Sequence, residues 1–238
     1  MKKVLICSGK GGVGKTTLTV ELAKCARDMG YRVGVIDADI ATPNLPVILN
    51  SEKAFTLGMM KVENDMILPH TIDGIQVVSY WFDTTQNTPH LLNGSTRVSR
   101  ILRAYCSSVK WHEDTQLVFV DCPPATSDEL IGLITLLNPD AAVLVTEGKT
   151  LPSVIDARRA KNTLDYYKVK VIGYVINKQS PRYSEDVDSD NIIGARCIGQ
   201  VPLGRRYRGQ LKIKRDRIEN ILEQILKEVE SVAVASNR

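Results

Sequence analysis

The chain has no C-x-x-C pair. Its five cysteines, Cys7, Cys25, Cys106, Cys122 and Cys197, are odd in number and widely spaced. That excludes a disulfide framework and a zinc ribbon, and makes a reducing cytosol the expected compartment. No apolar run reaches the roughly 18 residues that a membrane span needs. The opening Met1-Lys2-Lys3 has the charge of a secretory leader, but the apolar run behind it stops at Cys7, so none is expected. Aromatics are scarce at 5%, which disfavours a single-strand binder built on base stacking. The net charge of +4 is too small to imply a nucleic-acid partner unless it is clustered. No internal repeat or low-complexity tract breaks the sequence.

What remains fits a globular chain with a substantial core: 238 residues, 43% hydrophobic and 24% charged. One domain over 1–238 is expected. Short continuous apolar runs at 4–8, 33–37, 117–121, 141–146 and 169–177 read as strands buried on both faces. Helical spacing runs from Thr16 to Met29, with Gly30 as the stop, and further helices are predicted at about 90–108, 127–138, 151–167 and 215–232. Strands alternating with helices predict a doubly wound α/β fold whose mainly parallel sheet carries helices on both faces. Ligands then bind beyond the carboxyl ends of the strands. Residues 51–73 are harder to assign and can hold a short helix and a hairpin. The polar stretch Lys178 to Asn191 reads as a surface loop.

Gly9-Lys10-Gly11-Gly12-Val13-Gly14-Lys15-Thr16-Thr17 lies between a predicted strand and a predicted helix. Gly9-x-x-x-x-Gly14-Lys15-Thr16 is the phosphate-binding pattern in the context it requires. Glycines let backbone N–H groups point inward at phosphates, and the helix N-terminus adds partial positive charge. Lys15 is placed to bridge the β- and γ-phosphates of ATP, and the Thr16 hydroxyl to bind Mg²⁺. Asp37 ends the second strand, and Asp39 lies further into its loop. Asp121 ends the third and is followed by Cys122-Pro123-Pro124. Either of the first two aspartates is also able to cap a helix beginning near Pro43.

The second lysine, Lys10, makes the loop resemble that of the MinD/ParA/Mrp/nitrogenase-iron-protein group of ATPases. The resemblance implies a homodimer that sandwiches ATP, with Lys10 reaching the partner's phosphates. It implies that Asp37 serves the Mg²⁺ shell and Asp39 orients the attacking water. Asp121 would reach the metal through water. Asn177, and the Gly199-Gln200-Val201-Pro202 turn with Pro202, would contact the adenine base. Slow hydrolysis is expected, since Ala125 and Ser127 depart from the group's glycine-rich continuation after Pro124.

Asp37 to Pro46, Pro89 to Gly94 and Val109-Lys110-Trp111 resemble the Mrp/ApbC branch, which implies metallocofactor or protein-complex assembly for an unnamed client. That branch typically carries a C-x-x-C where this chain has Lys178 to Asn191. Soft thiolates are what an iron–sulfur cluster needs, so a cluster is not expected here. Residues 205–217 hold seven basic residues against one acid. Arg205, Arg206, Arg208, Lys212, Lys214 and Arg215 therefore leave DNA open as a partner, as in ParA-like positioning ATPases. A small-molecule enzyme on the same scaffold is a more distant alternative. Ile218, Ile221, Leu222, Ile225, Leu226 and Val229 form one helical stripe. Its opposite face carries Glu219, Glu223, Glu228 and Glu230, so core packing is expected rather than a membrane anchor.

Overall fold

A computed structural model describes the backbone of residues 1–84, 95–123, 128–180, 187–203, 206–207, 210–211 and 213–235. The chain opens with β1 (Lys2–Cys7), the glycine loop and α1 (Lys15–Asp28). There follow β2 (Val33–Asp37), α2 (Leu45–Thr56), the hairpin of β3 (Lys61–Glu63) and β4 (Met66–Leu68), then β5 (His70–Ile72) and β6 (Ile75–Ser79). After α3 (Trp81–Thr84) and α4 (Ser95–Ser107) come β7 (Leu117–Asp121), α5 (Asp128–Leu137), β8 (Ala141–Glu147), α6 (Leu151–Tyr166) and β9 (Val171–Gln179). The remainder is α7 (Ser189–Ile193), β10 (Cys197–Pro202), the small hairpin of β11 (Arg206–Tyr207) and β12 (Gln210–Leu211), and α8 (Arg215–Ala235).

Eight strands form one sheet in the order β10-β9-β8-β1-β7-β2-β6-β5. All neighbours are parallel except the edge strand β5, which pairs antiparallel to β6. The strand order reverses direction around β1, so the loop after β1 opens at the crevice where such sheets bind ligands.

Alternation along each strand fills two cores. Val4 and Ile6 of β1, with Val33 and Val35 of β2, face Leu18 and Leu22 of α1, Leu45 and Leu49 of α2, and the stripe of α8. Leu5 and Cys7 face the other way, toward Leu102 of α4, Leu130 and Leu133 of α5, and Val154 and Ala157 of α6. The α8 stripe is therefore core, as its spacing predicts: Ile218, Ile221, Leu222, Ile225 and Val229 are all buried.

Two expectations are corrected, and one strand is added. The Gly199–Pro202 segment is not a turn but part of the edge strand β10, parallel to β9. Lys178 and Gln179 belong to β9, and the last three residues of the expected loop, Ser189 to Asn191, open α7. The Asp188 carboxylate accepts from the Asn191 N–H at 3.2 Å to cap α7, and the Tyr174 hydroxyl donates to Asp190 at 2.6 Å. Between Asp73 and the next helix lies β6, a strand inserted between β2 and β5 that the apolar pattern does not announce. The Pro89–Gly94 segment lies outside the described residues, as do Ala125 and Ser127.

Candidate functional site

The glycine loop leaves the C-terminal tip of β1 and ends at Gly14, the N-cap of α1, in the left-handed region at φ 93°. A side chain there is doubly excluded, because a Cβ would fall 2.3 Å from Nδ2 of Asn177. No side chain caps α1 and no acidic residue stands in its first turn. Its leading N–H groups are thus left for an anion. At the loop's other end, Gly9 passes so close to α6 that a Cβ would lie 2.0 Å from the Asp156 carbonyl oxygen. Lys15, Thr16 and Thr17 open α1, with Lys15 buried.

The tips of β8 and β9 grip this loop from the side. Asn177 is buried, and its Nδ2 donates to the Val13 carbonyl at 2.8 Å. Lys178 Nζ donates to the Gly12 carbonyl at 2.5 Å and pairs with Glu147 Oε1 at 2.9 Å. The other oxygen of the same carboxylate, Oε2, pairs with Lys10 Nζ at 3.0 Å. Burial raises the Glu147 carboxyl, but the hydrogen bonds from Lys178 and Lys10 outweigh it and hold the group below its ordinary value.

On the loop's other side, Asp37 and Asp121 are register partners on β2 and β7, each 1% exposed. Asp37 accepts from the Ser79 hydroxyl at 2.8 Å and from the Leu45 N–H at 3.3 Å, so it also caps α2. Burial, and then the charge of Asp121, push its carboxyl well above the ordinary range. Burial pushes Asp121 up to about 7, against the lowering effect of the Thr16 hydroxyl and Lys15. Asp39 is partly exposed and accepts from Thr42 through its N–H at 3.0 Å and its hydroxyl at 3.1 Å.

Two buried carboxylates and a threonine hydroxyl around a buried lysine form a hard-oxygen site short of positive charge. That donor set suits Mg²⁺, which keeps several waters and takes phosphate oxygens alongside one or two carboxylates. Among the described residues no group of three or more His, Cys, Asp or Glu side chains could hold a metal by itself. The protein's share of such a shell is therefore partial.

The other predicted residues are more scattered. Pro202 is exposed at the end of β10. Of the basic cluster, Arg205, Arg208, Lys212 and the Arg206 side chain lie outside the described residues. Lys214 is exposed, whereas Arg215 is clamped between Asp28 at 2.9 Å and Glu219 at 2.7 Å. All five cysteines are free thiols; Cys7, Cys25 and Cys122 are buried, while Cys106 and Cys197 are half-buried. Sequence reasoning missed Ser79 and Glu147. Each ends a strand at the ligand-facing edge, and for Glu147 an acidic residue directly after the apolar run 141–146 was the available signal.

Fold and site together define a P-loop NTPase with a second lysine in its phosphate loop. The sequence family described as ParA, "NUBPL iron-transfer P-loop NTPase", matches residues 1–221. The chain belongs to this family, and is a P-loop ATPase of the Mrp/MinD type. It is 36% identical over 177 residues to an iron-sulfur cluster carrier protein of Methanococcus maripaludis, covering 74% of this chain and 59% of that protein. A carrier of the same name in Methanocaldococcus jannaschii is 30% identical over 223 residues, covering 87% of this chain and 74% of that one. The chain thus spans about three fifths of the M. maripaludis relative's length. Among solved structures, the MinD cell-division ATPase of Pyrococcus furiosus shares the fold at a TM-score of 0.65 and 18% identity, over 95% of this chain and 98% of that one.

These relatives overturn the expectation that this chain is unlikely to carry an iron–sulfur cluster. That expectation rested on the missing C-x-x-C, and proteins this similar are named as cluster carriers. Among the described residues no helix is long and apolar enough to cross a membrane.

Proposed function

We propose that the chain is a nucleotide-switched ATPase of iron–sulfur cluster transfer, with the cluster as its cargo. The observation that carries the reading is the meeting of an uncapped α1 N-terminus, buried Lys15 and the Asp37–Asp121 pair at one sheet edge. ATP binds there with its phosphates on the loop N–H groups and on Lys15. Thr16, Asp37 and Asp121 are the residues that would hold Mg²⁺. Bound there, Mg²⁺ would supply positive charge against the phosphates. Asp39 orients the attacking water. Two copies face each other across the nucleotides, and Lys10 of each supplies positive charge to the phosphates bound by the other. Hydrolysis is slow and resets the pair to monomers. The relatives' names support cluster transfer as the output, in a cytosol that keeps the five thiols reduced. Cys106 and Cys197 are the thiols with exposed surface, and a dimer presents two of each.

The test has two arms. With a non-hydrolysable ATP analogue and Mg²⁺, the wild type dimerises in sedimentation velocity and Lys10→Ala does not, while both bind nucleotide. A Lys10→Ala dimer as tight as the wild type's removes the sandwich. Anaerobic reconstitution with iron and sulfide gives cluster absorbance that falls in Cys197→Ser or Cys106→Ser. Reconstituted protein without absorbance in the wild type removes the cargo.

A further inference from the structure

The side-chain carboxylate of Glu147 is the shared partner of two lysines, Lys10 and Lys178. It stands at the C-terminal tip of β8, the strand next to β1, level with Asn177 on β9. Its two oxygens divide the work: Oε1 faces Lys178 and Oε2 faces Lys10. Lys178 is itself tied to the loop through the Gly12 carbonyl. The signature lysine of the loop is thereby folded onto its own subunit, at the outer rim of the site, with its side chain 38% exposed. Lys10 cannot occupy this position and also extend to a second copy's phosphates.

We propose that Glu147 is a positioning residue that holds Lys10 in its own subunit and so sets how readily the ATP-bound dimer forms. The inference rests on the sandwich reading above. The physical trade is one anion for another. In the lone chain the carboxylate satisfies Lys10. In the dimer the partner's triphosphate takes its place, and Glu147 is left with Lys178. Because the pair is partly exposed, it is a weak restraint, which suits a contact that must open in every cycle. Without it, two ammonium groups and the loop would face each other with no carboxylate between them.

Neutralising Glu147 frees Lys10 and should lower the protein concentration at half dimerisation by about fivefold, equal to ~1 kcal/mol at 1.4 kcal/mol per tenfold. Structural damage to the loop would weaken the dimer, so a gain is a readout that a merely structural role does not produce. The experiment is sedimentation velocity across protein concentration, with Mg²⁺ and a non-hydrolysable ATP analogue. It compares wild type, Glu147→Gln, Lys10→Ala and the double variant, with circular dichroism as the check on folding. Glu147→Asp, one methylene too short to reach both lysines, gives the same direction of shift if the Gln variant does not fold. A lowered midpoint in the Glu147 variants, with Lys10→Ala and the double variant both monomeric, is the expected result. An unchanged or raised midpoint in the Glu147 variants, with Lys10→Ala monomeric, overturns the role of Glu147 alone. A Lys10→Ala chain that dimerises like the wild type overturns the sandwich reading instead.

Discussion

Asp37 and Asp121 stand opposite each other as register partners at the tips of neighbouring parallel strands, both buried. Two carboxylates so placed cannot both ionise without a cation between or beside them. Lys15 supplies one positive charge nearby, and the raised carboxyls of the pair indicate that it is not enough.

The pair should therefore make the nucleotide-free protein sensitive to pH. An acid whose folded value is raised binds its proton more tightly than the unfolded chain does. For Asp121 that difference spans the range from 3.8 to about 7. Stability falls as the pH climbs through this window and the folded pair loses its protons. In chelator, the melting temperature is expected to be higher at pH 5.5 than at pH 8, and Asp121→Asn to flatten the difference. Mg²⁺ competes with the protons, so its stabilisation should be greater at pH 8. Thermal scans with and without Mg²⁺ check this; equal stabilisation at both pH values would count against the metal site.

Asp39 differs from its neighbour because it is partly exposed and its oxygens are held by Thr42. Asn at this position keeps an acceptor for the Thr42 N–H and loses the charge. Asp39→Asn should bind ATP as the wild type does but release phosphate about 10²-fold more slowly, the scale on which a positioned acid–base group contributes. Equal losses of binding and turnover would instead mark Asp39 as part of the nucleotide cradle.

The chemistry-bearing strands were legible because each is a continuous apolar run ended by Gly or Asp. That is how the tips of β1, β2 and β7 came to be read with Lys15, Asp37 and Asp121 already beside the loop. The stripe of α8 was legible for the same kind of reason, a sustained 3.6-residue period. What escaped depends on partners distant in sequence. Arg215 reads as one more surface cation, yet Asp28, on the far side of the chain's order, neutralises it. Lys178 reads as the first residue of a polar loop, yet Glu147 and the Gly12 carbonyl draw it into β9. The inserted β6 was missed because Gln76 interrupts its apolar run and Ser79, rather than Gly or Asp, ends it.

The α8 stripe carries a stability prediction. Ile225 is fully buried in the core shared with α1 and β1, and Ile221 occupies the space where a side chain at Gly199 of β10 would sit. Truncation leaves a cavity the neighbouring strand cannot close. Ile225→Ala should cost about 2–5 kcal/mol in urea unfolding, whereas Glu223→Ala on the exposed face should be close to neutral. A small loss at Ile225 would mean that α8 is only loosely held.

Asn177 separates two roles that its position allows. The family resemblance assigns it to the adenine edge, while its Nδ2 is already bonded to the Val13 carbonyl inside the phosphate loop. Removing the amide leaves that buried carbonyl without its donor, at a cost of about 1–3 kcal/mol. The loss should appear as a looser loop, because Val13 lies between Gly12 and Gly14, both at positive φ. If support of the loop dominates, Asn177→Ala weakens ATP and GTP binding by the same factor. Base reading instead predicts a selective loss for ATP, with GTP little changed. Calorimetric titration of both nucleotides into the variant decides between them, and the hydrogen bond to Val13 makes equal loss the expected result.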